Sequence, residues 1–154
     1  MSDKKLLIIN GPGLSDLSNY SELGYDDLSL DTLKQKCIDA CDGLGLEADF
    51  RQNDDEPELL SDLINEVSNF DAFIINPAGH SKSSSIDYEA FSIAINKITN
   101  QSKPVIEVRI ENIFKQGSSK PLQGAESGVG FVSGLGIYSY VLAINSINKT
   151  LSNK

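Results

Sequence analysis

A chain of 154 residues, 40% hydrophobic and 23% charged, suits one ordinary globular domain and excludes wholesale disorder. Its formal net charge of -9 argues against non-specific nucleic-acid binding, which needs a basic face. An anionic small ligand stays open, because local basic groups decide that.

No apolar run reaches the length that spans a bilayer, and the Met-Ser-Asp-Lys-Lys start lacks the apolar segment of a signal peptide, so a cytoplasmic location is expected. Lys5 to Asn10 reads as the first strand and stops abruptly at Asn10-Gly11-Pro12-Gly13; a long polar loop then runs to about Tyr25. In a parallel α/β sheet the C-terminal ends of strands are where ligands bind, so this loop is the first place to look for chemistry. Its length and polarity permit a lid from Gly13 to Tyr25.

Ser29 is placed to cap a helix whose apolar stripe is Leu30, Leu33, Cys37, Cys41 and Leu44, with Gly43 and Gly45 ending it. Cys37 and Cys41, the only cysteines, lie on one face; they read as small apolar residues against the sheet more readily than as a redox pair. With a single histidine in the chain, a protein-only zinc site is poorly supplied. Leu46 to Gln52 reads as a second strand, Asn53-Asp54-Asp55 as a turn, and Pro57 as part of a first helical turn before Leu59, Leu60, Leu63, Ile64 and Val67.

Asp71 to Asn76 is apolar nearly throughout and predicts a central strand, stopping at Pro77-Ala78-Gly79. The run from His80 to Ser85 leads into a helix carrying Ile86, Ala90, Phe91, Ala94, Ile95 and Ile98. A fourth strand spans Val105 to Ile110, a loop follows to about Ser127, and Gly128 to Ser133 makes a short fifth strand. Gly134-Leu135-Gly136 turns into a last helix with Ile137, Val141, Ile144 and Leu151 near one face. Five β/α units imply a five-stranded parallel sheet covered on both faces, a flavodoxin-like doubly wound α/β fold, with residues 1–154 as one domain.

Loops after strands one, three and four converge at one sheet edge. They carry Asn10, Tyr20 and Tyr25, then Asn76, His80, Ser81, Lys82, Ser83 and Ser84, then Glu107, Arg109, Glu111 and Asn112, with Lys115 and Lys120 beyond. Glu107, Arg109 and Glu111 alternate with Val108 and Ile110, so they share one face of the strand. Charges on a buried strand are costly unless paired or facing a cleft: Glu107 and Arg109 pair with each other, or the strand end is a site. Common α/β functions lack their signatures. Gly134-Leu135-Gly136 misses the third glycine of a dinucleotide fingerprint, no phosphate-loop motif occurs, and Asn10 and Asn76 stand where a phospho-receiver needs carboxylates. Ser81 to Ser85 could cradle phosphate or merely cap a helix, and His80 is a loop histidine or a general base.

A series of short runs, in order and in register, resembles the type II 3-dehydroquinate dehydratases. The runs are Asn10-Gly11-Pro12, Tyr25, Phe50-Arg51-Gln52-Asn53 before Glu58-Leu59-Leu60, Ile75-Asn76-Pro77, Pro104-Val105-Ile106-Glu107-Val108 and Gly128-Val129-Gly130-Phe131. The resemblance runs from about Leu6 to about Ile147. It implies a homo-oligomer, usually a dodecamer of trimers, that removes water from 3-dehydroquinate in the shikimate pathway without a cofactor or metal. It also implies Tyr25 as the base, Asn76 and Ile110 at substrate-binding positions, and Glu107 as the carboxylate that orients a catalytic group. Glu89 falls near an acidic residue that reaches a neighbouring subunit's site, and Lys120 near an arginine that grips the substrate carboxylate. Five positions carry other residues in this chain: Gly13 for an asparagine, Tyr20 for an arginine beside the base, Lys82 for a substrate-contacting histidine, Arg109 for the histidine acid and Glu111 for a serine that donates to substrate. Arg109 or Lys82 would then supply the positive charge beside Tyr25. Two other readings use the same scaffold: an enzyme for another small anionic molecule, and a non-catalytic binding or assembly module.

Overall fold

The computed structural model describes residues 4–25, 28–115, 120–122 and 129–153. Among them five parallel strands, β1 (Lys5–Asn10), β2 (Glu47–Gln52), β3 (Ala72–Asn76), β4 (Val105–Arg109) and β5 (Gly130–Ser133), pair in the order β2-β1-β3-β4-β5. The helices are α1 (Asn19–Glu22), α2 (Leu30–Leu44), α3 (Glu56–Asn65), α4 (Tyr88–Thr99) and α5 (Tyr138–Ser152). This is the doubly wound, flavodoxin-like fold. Alternation along β1 sends Leu6 and Ile8 into one apolar layer with α2 and α5, and Leu7 and Ile9 into the other with α3 and α4. The expected start of the fifth strand at Gly128 lies outside the described residues.

Local chemistry sets most boundaries. Ser29 Oγ accepts the Thr32 N–H at 3.1 Å to open α2, and Gly45, at φ 74°, closes it. Asp55 caps α3 through the Glu58 N–H, with Pro57 in the first turn. The serine run differs from expectation. His80–Ser85 forms a 3-10 helix of its own, and α4 starts later, where Asp87 accepts the Ala90 N–H at 3.0 Å. The Asp87 carboxylate takes the orphan amide, so the serines do not cap α4.

The C-terminal edge of the sheet is floored by main chain. Gly11 donates to the Asn76 carbonyl and Gly79 to the Pro12 carbonyl, both at 2.8 Å. A Cβ on Gly11 would lie 2.1 Å from the Pro77 carbonyl oxygen, and one on Gly79 2.6 Å from that of Gly13. The loops after β1 and β3 therefore cross backbone against backbone, which only glycine permits.

Candidate active site

Beyond this floor β4 places Glu107, Arg109 and Glu111 on one face, all buried. Arg109 Nη1 lies 3.6 Å from Glu107 Oε2, and its Nη2 lies 3.8 Å from Glu111 Oε1. Those separations give ion pairing without hydrogen bonds. The guanidinium nitrogens, Glu107 Oε2 and both Glu111 oxygens have no hydrogen-bond partner among the described residues. Glu107 Oε1 does have one, the Leu122 N–H at 2.7 Å. Both alternatives for the strand thus coexist: the charges pair with one another, and they do so at the ligand edge of the sheet. Burial pushes the Glu107 carboxyl up to about 7, against the opposing pull of the Leu122 N–H and Arg109.

The loop after β1 folds back onto this cluster. Tyr20, on α1, is buried; its hydroxyl oxygen accepts the His80 N–H at 3.0 Å. Burial first, and the Glu111 carboxylate second, raise its pKa well above the ordinary tyrosine value. Tyr25 packs edge-on against Tyr20, with ring centroids 6.3 Å apart, and donates its own N–H to the Tyr20 carbonyl. Its hydroxyl oxygen accepts the Asn112 N–H at 3.1 Å, which pins the loop to the end of β4. Tyr20, Tyr25, Glu107, Arg109 and Glu111 are therefore brought together.

The remaining expected residues lie apart. Asn76 is fully buried in the sheet, and its Nδ2 donates to the Tyr140 hydroxyl oxygen at 2.8 Å. Tyr140 also reaches Asn10 Oδ1 at 2.6 Å. Ile110 is in the core, its carbonyl accepting the Gly136 N–H. Lys82 is exposed and lines a separate cleft of about 400 Å³ with Pro12, Asp54, Asp55, Glu56, Ala78 and Ser85. The Lys120 ammonium lies 4.8 Å from the centroid of the Tyr88 ring, and Glu89 is exposed on the first turn of α4. Lys115 ends the 3-10 turn Ile113–Lys115. Sequence reasoning missed Tyr140 and the Leu122 N–H. The spacing of Ile137, Tyr140, Ile144, Ile147 and Leu151 carried the signal for the first; a backbone donor carries none.

Chemically, the arrangement offers a phenol held by one N–H, a buried cation with unengaged donors, and two carboxylates at its flanks. That set suits proton abstraction beside a carbonyl with stabilisation of the resulting anion. Cys37 and Cys41 take no part: they are buried under α2, and burial raises both thiols, Cys41 to about 11.

Comparison with known proteins points the same way. The family model described as "Dehydroquinase class II" matches residues 4–148. A 3-dehydroquinate dehydratase of Clostridium botulinum (strain Loch Maree / Type A3) is 32% identical over 149 residues, covering 96% of each chain. One of Thermoanaerobacter pseudethanolicus is 33% identical over 146 residues, covering 94% of this chain and 93% of its own. Among solved structures, the type II dehydroquinase of Propionibacterium acnes superposes with a TM-score of 0.74 at 26% identity, over 96% of this chain and 99% of that one.

Proposed function

The chain belongs to the class II dehydroquinase family, and from that membership we infer that it is a hydro-lyase, independent of any cofactor, that removes water from 3-dehydroquinate. The observation that carries this reading is the extent of the match, which runs through the Tyr25 loop, the β4 end and the last helix alike. Neither another anionic substrate nor a non-catalytic role has an observation of its own in its favour.

The residue roles belong to the same proposal. Tyr25, as phenolate, takes the proton next to the ketone, and the Asn112 N–H that its oxygen already accepts stays available to the charged form. Arg109 replaces an imidazole with a permanent cation whose N–H groups face the developing enolate and the substrate carboxylate. Glu107 orients that guanidinium from below. Tyr20 and Glu111 flank the guanidinium, Asn76 and Ile110 support the strand ends from within the core, Lys82 and Lys120 draw the anion in from outside, and Glu89 reaches an adjacent subunit.

The wider setting follows the family: a shikimate-pathway enzyme in the cytoplasm, assembled as trimers into a dodecamer. No helix among the described residues is long and apolar enough to cross a membrane. Light scattering should give a mass far above the 16.7 kDa of one chain; a monomer would count against the assembly.

The deciding experiment mixes purified protein with 3-dehydroquinate and follows absorbance of the conjugated enone. Turnover is expected, and Tyr25→Phe should lower kcat by about two to four orders of magnitude with an unchanged circular dichroism spectrum. A well-folded wild-type protein that gives no enone at high enzyme concentration overturns the reading.

A further inference from the structure

Arg109, Glu107 and Glu111 are 0%, 2% and 3% exposed, and Tyr20, folded back over them from the loop after β1, is itself only 1% exposed. We propose that the segment between Gly13 and Gly24 is a gate with Tyr20 as its bolt. Closed, it seals the Arg109 guanidinium from solvent, and an anionic ligand reaches that cation only when Tyr20 withdraws. The inference rests on the dehydratase reading for the ligand, 3-dehydroquinate, and on geometry alone for the gate.

The segment has a hinge at each end. Gly13, at φ 89°, and Gly24, at φ 91°, take left-handed backbone that a side chain would strain. Between them Leu14, Leu17 and Tyr20, spaced three apart, are buried in the apolar layer that α2 and α5 share. Outside the segment Tyr20 is tied through its hydroxyl oxygen, which accepts the His80 N–H at 3.0 Å, and its carbonyl, which accepts the Tyr25 N–H at 3.0 Å. Tyr25 lies beyond the second hinge, where the Asn112 N–H holds its hydroxyl oxygen, so the bolt can leave while the base stays.

The closed form carries its own opposition. Under the bolt, the three guanidinium nitrogens of Arg109, Glu107 Oε2 and both Glu111 oxygens are buried with no hydrogen-bond partner among the described residues. Ion pairing at 3.6 and 3.8 Å offsets only part of the cost of burying these charges. Opening returns them to water, and a bound carboxylate would engage the guanidinium in a two-pronged fork that a single tyrosine hydroxyl does not supply. The apolar seat of the Tyr20 ring holds the bolt in; the unmet charge beneath pushes it out. Burial, and then the Glu111 charge, keep the Tyr20 hydroxyl protonated, so it offers the guanidinium no anion of its own. A ligand that pairs with Arg109 therefore favours the open form, and its apparent affinity scales with the fraction open.

Arg51 and Arg109 are the only arginines in the chain, and the Arg51 side chain is 32% exposed. Phenylglyoxal, which modifies accessible guanidinium groups, reads the gate when both sites are followed by peptide mass spectrometry in the folded, full-length protein. In wild type Arg51 should be modified and Arg109 protected. Tyr20→Ala should speed modification of Arg109 about tenfold or more with Arg51 unchanged, and added 3-dehydroquinate should restore the protection. Tyr20→Phe keeps the ring and drops the bond to His80; it should give a smaller rise at Arg109 and a lower KM for 3-dehydroquinate. The gate is overturned by an Arg109 that reacts as fast as Arg51 in wild type, stays protected in Tyr20→Ala, or is speeded only together with Arg51. An unchanged or higher KM in Tyr20→Phe overturns it too. Should Tyr20→Ala fail to fold, Tyr20→Phe decides by the same labelling. Absence of turnover and of protection by 3-dehydroquinate overturns the dehydratase reading instead, and the labelling of Arg109 still decides the gate.

Discussion

The Tyr140 hydroxyl stands between two amides in a fully buried position, donating to Asn10 Oδ1 at 2.6 Å and accepting from Asn76 Nδ2 at 2.8 Å. It ties α5 to the ends of β1 and β3, the strands whose loops floor the site. Tyr140→Phe keeps the ring and strips the partner from two buried amides. A loss of about 2–3 kcal/mol in urea denaturation is expected, and an unchanged midpoint would mean that the amides pair with each other instead. Little of this was legible in the sequence. The apolar spacing on the last helix predicts Val141 on the core face with Ile144 and Leu151, whereas the buried face runs through Tyr140, Ala143, Ile144, Ile147 and Leu151. The partners of Tyr140 lie 130 and 64 residues away, and no local pattern announces so distant a pair. Glu107, Arg109 and Glu111 were visible as a set because period-2 alternation places them on one face of a strand already expected to be buried.

At the scale of elements, boundaries with a local chemical cause were read correctly: Ser29 opens α2, Gly45 closes it, and Pro57 sits in the first turn of α3. Elements too short to show a period were not. The one-turn helix α1 and the 3-10 helix His80–Ser85 hide in polar runs that look like loop. The loop crossing between β1 and β3 gives an element-level prediction. In Gly11→Ala the new methyl would lie 2.1 Å from the Pro77 carbonyl oxygen, main chain that can yield only by moving β3's exit. A loss of more than about 2 kcal/mol is expected, read as a fall in Tm. An alanine variant as stable as wild type would show that the crossing is soft.

For the whole molecule, alternation of strand and helix was enough to foresee a five-stranded parallel sheet covered on both faces; its order, β2-β1-β3-β4-β5, comes from the structure. Handed crossovers leave few other topologies. Its dependence on pH hinges on Glu107. Its carboxyl rises from 4.5 to about 7 on folding, so the native state binds the proton more tightly than the unfolded chain. That contribution is complete below about pH 4.5 and disappears as pH climbs through 7, amounting to about 3 kcal/mol. Glu66, held low by Asn69 and then Arg51, works in the opposite sense at lower pH and is half-buried. Denaturation at pH 5 and pH 8 should therefore show Glu107→Gln gaining on wild type at the higher pH. An equal gap at both would mean that Arg109 neutralises Glu107 throughout.

The main-chain floor of the site sets what the β4 end can tolerate. Gly11, Pro77, Gly79 and Gly13 meet through peptide groups, so no side chain of the reacting cluster is needed to keep the floor in place. Residues on the β4 end can then be exchanged one at a time while the platform beneath them persists. Substitutions at the β4 end would then alter the chemistry offered there while leaving the crossing of the two loops in place.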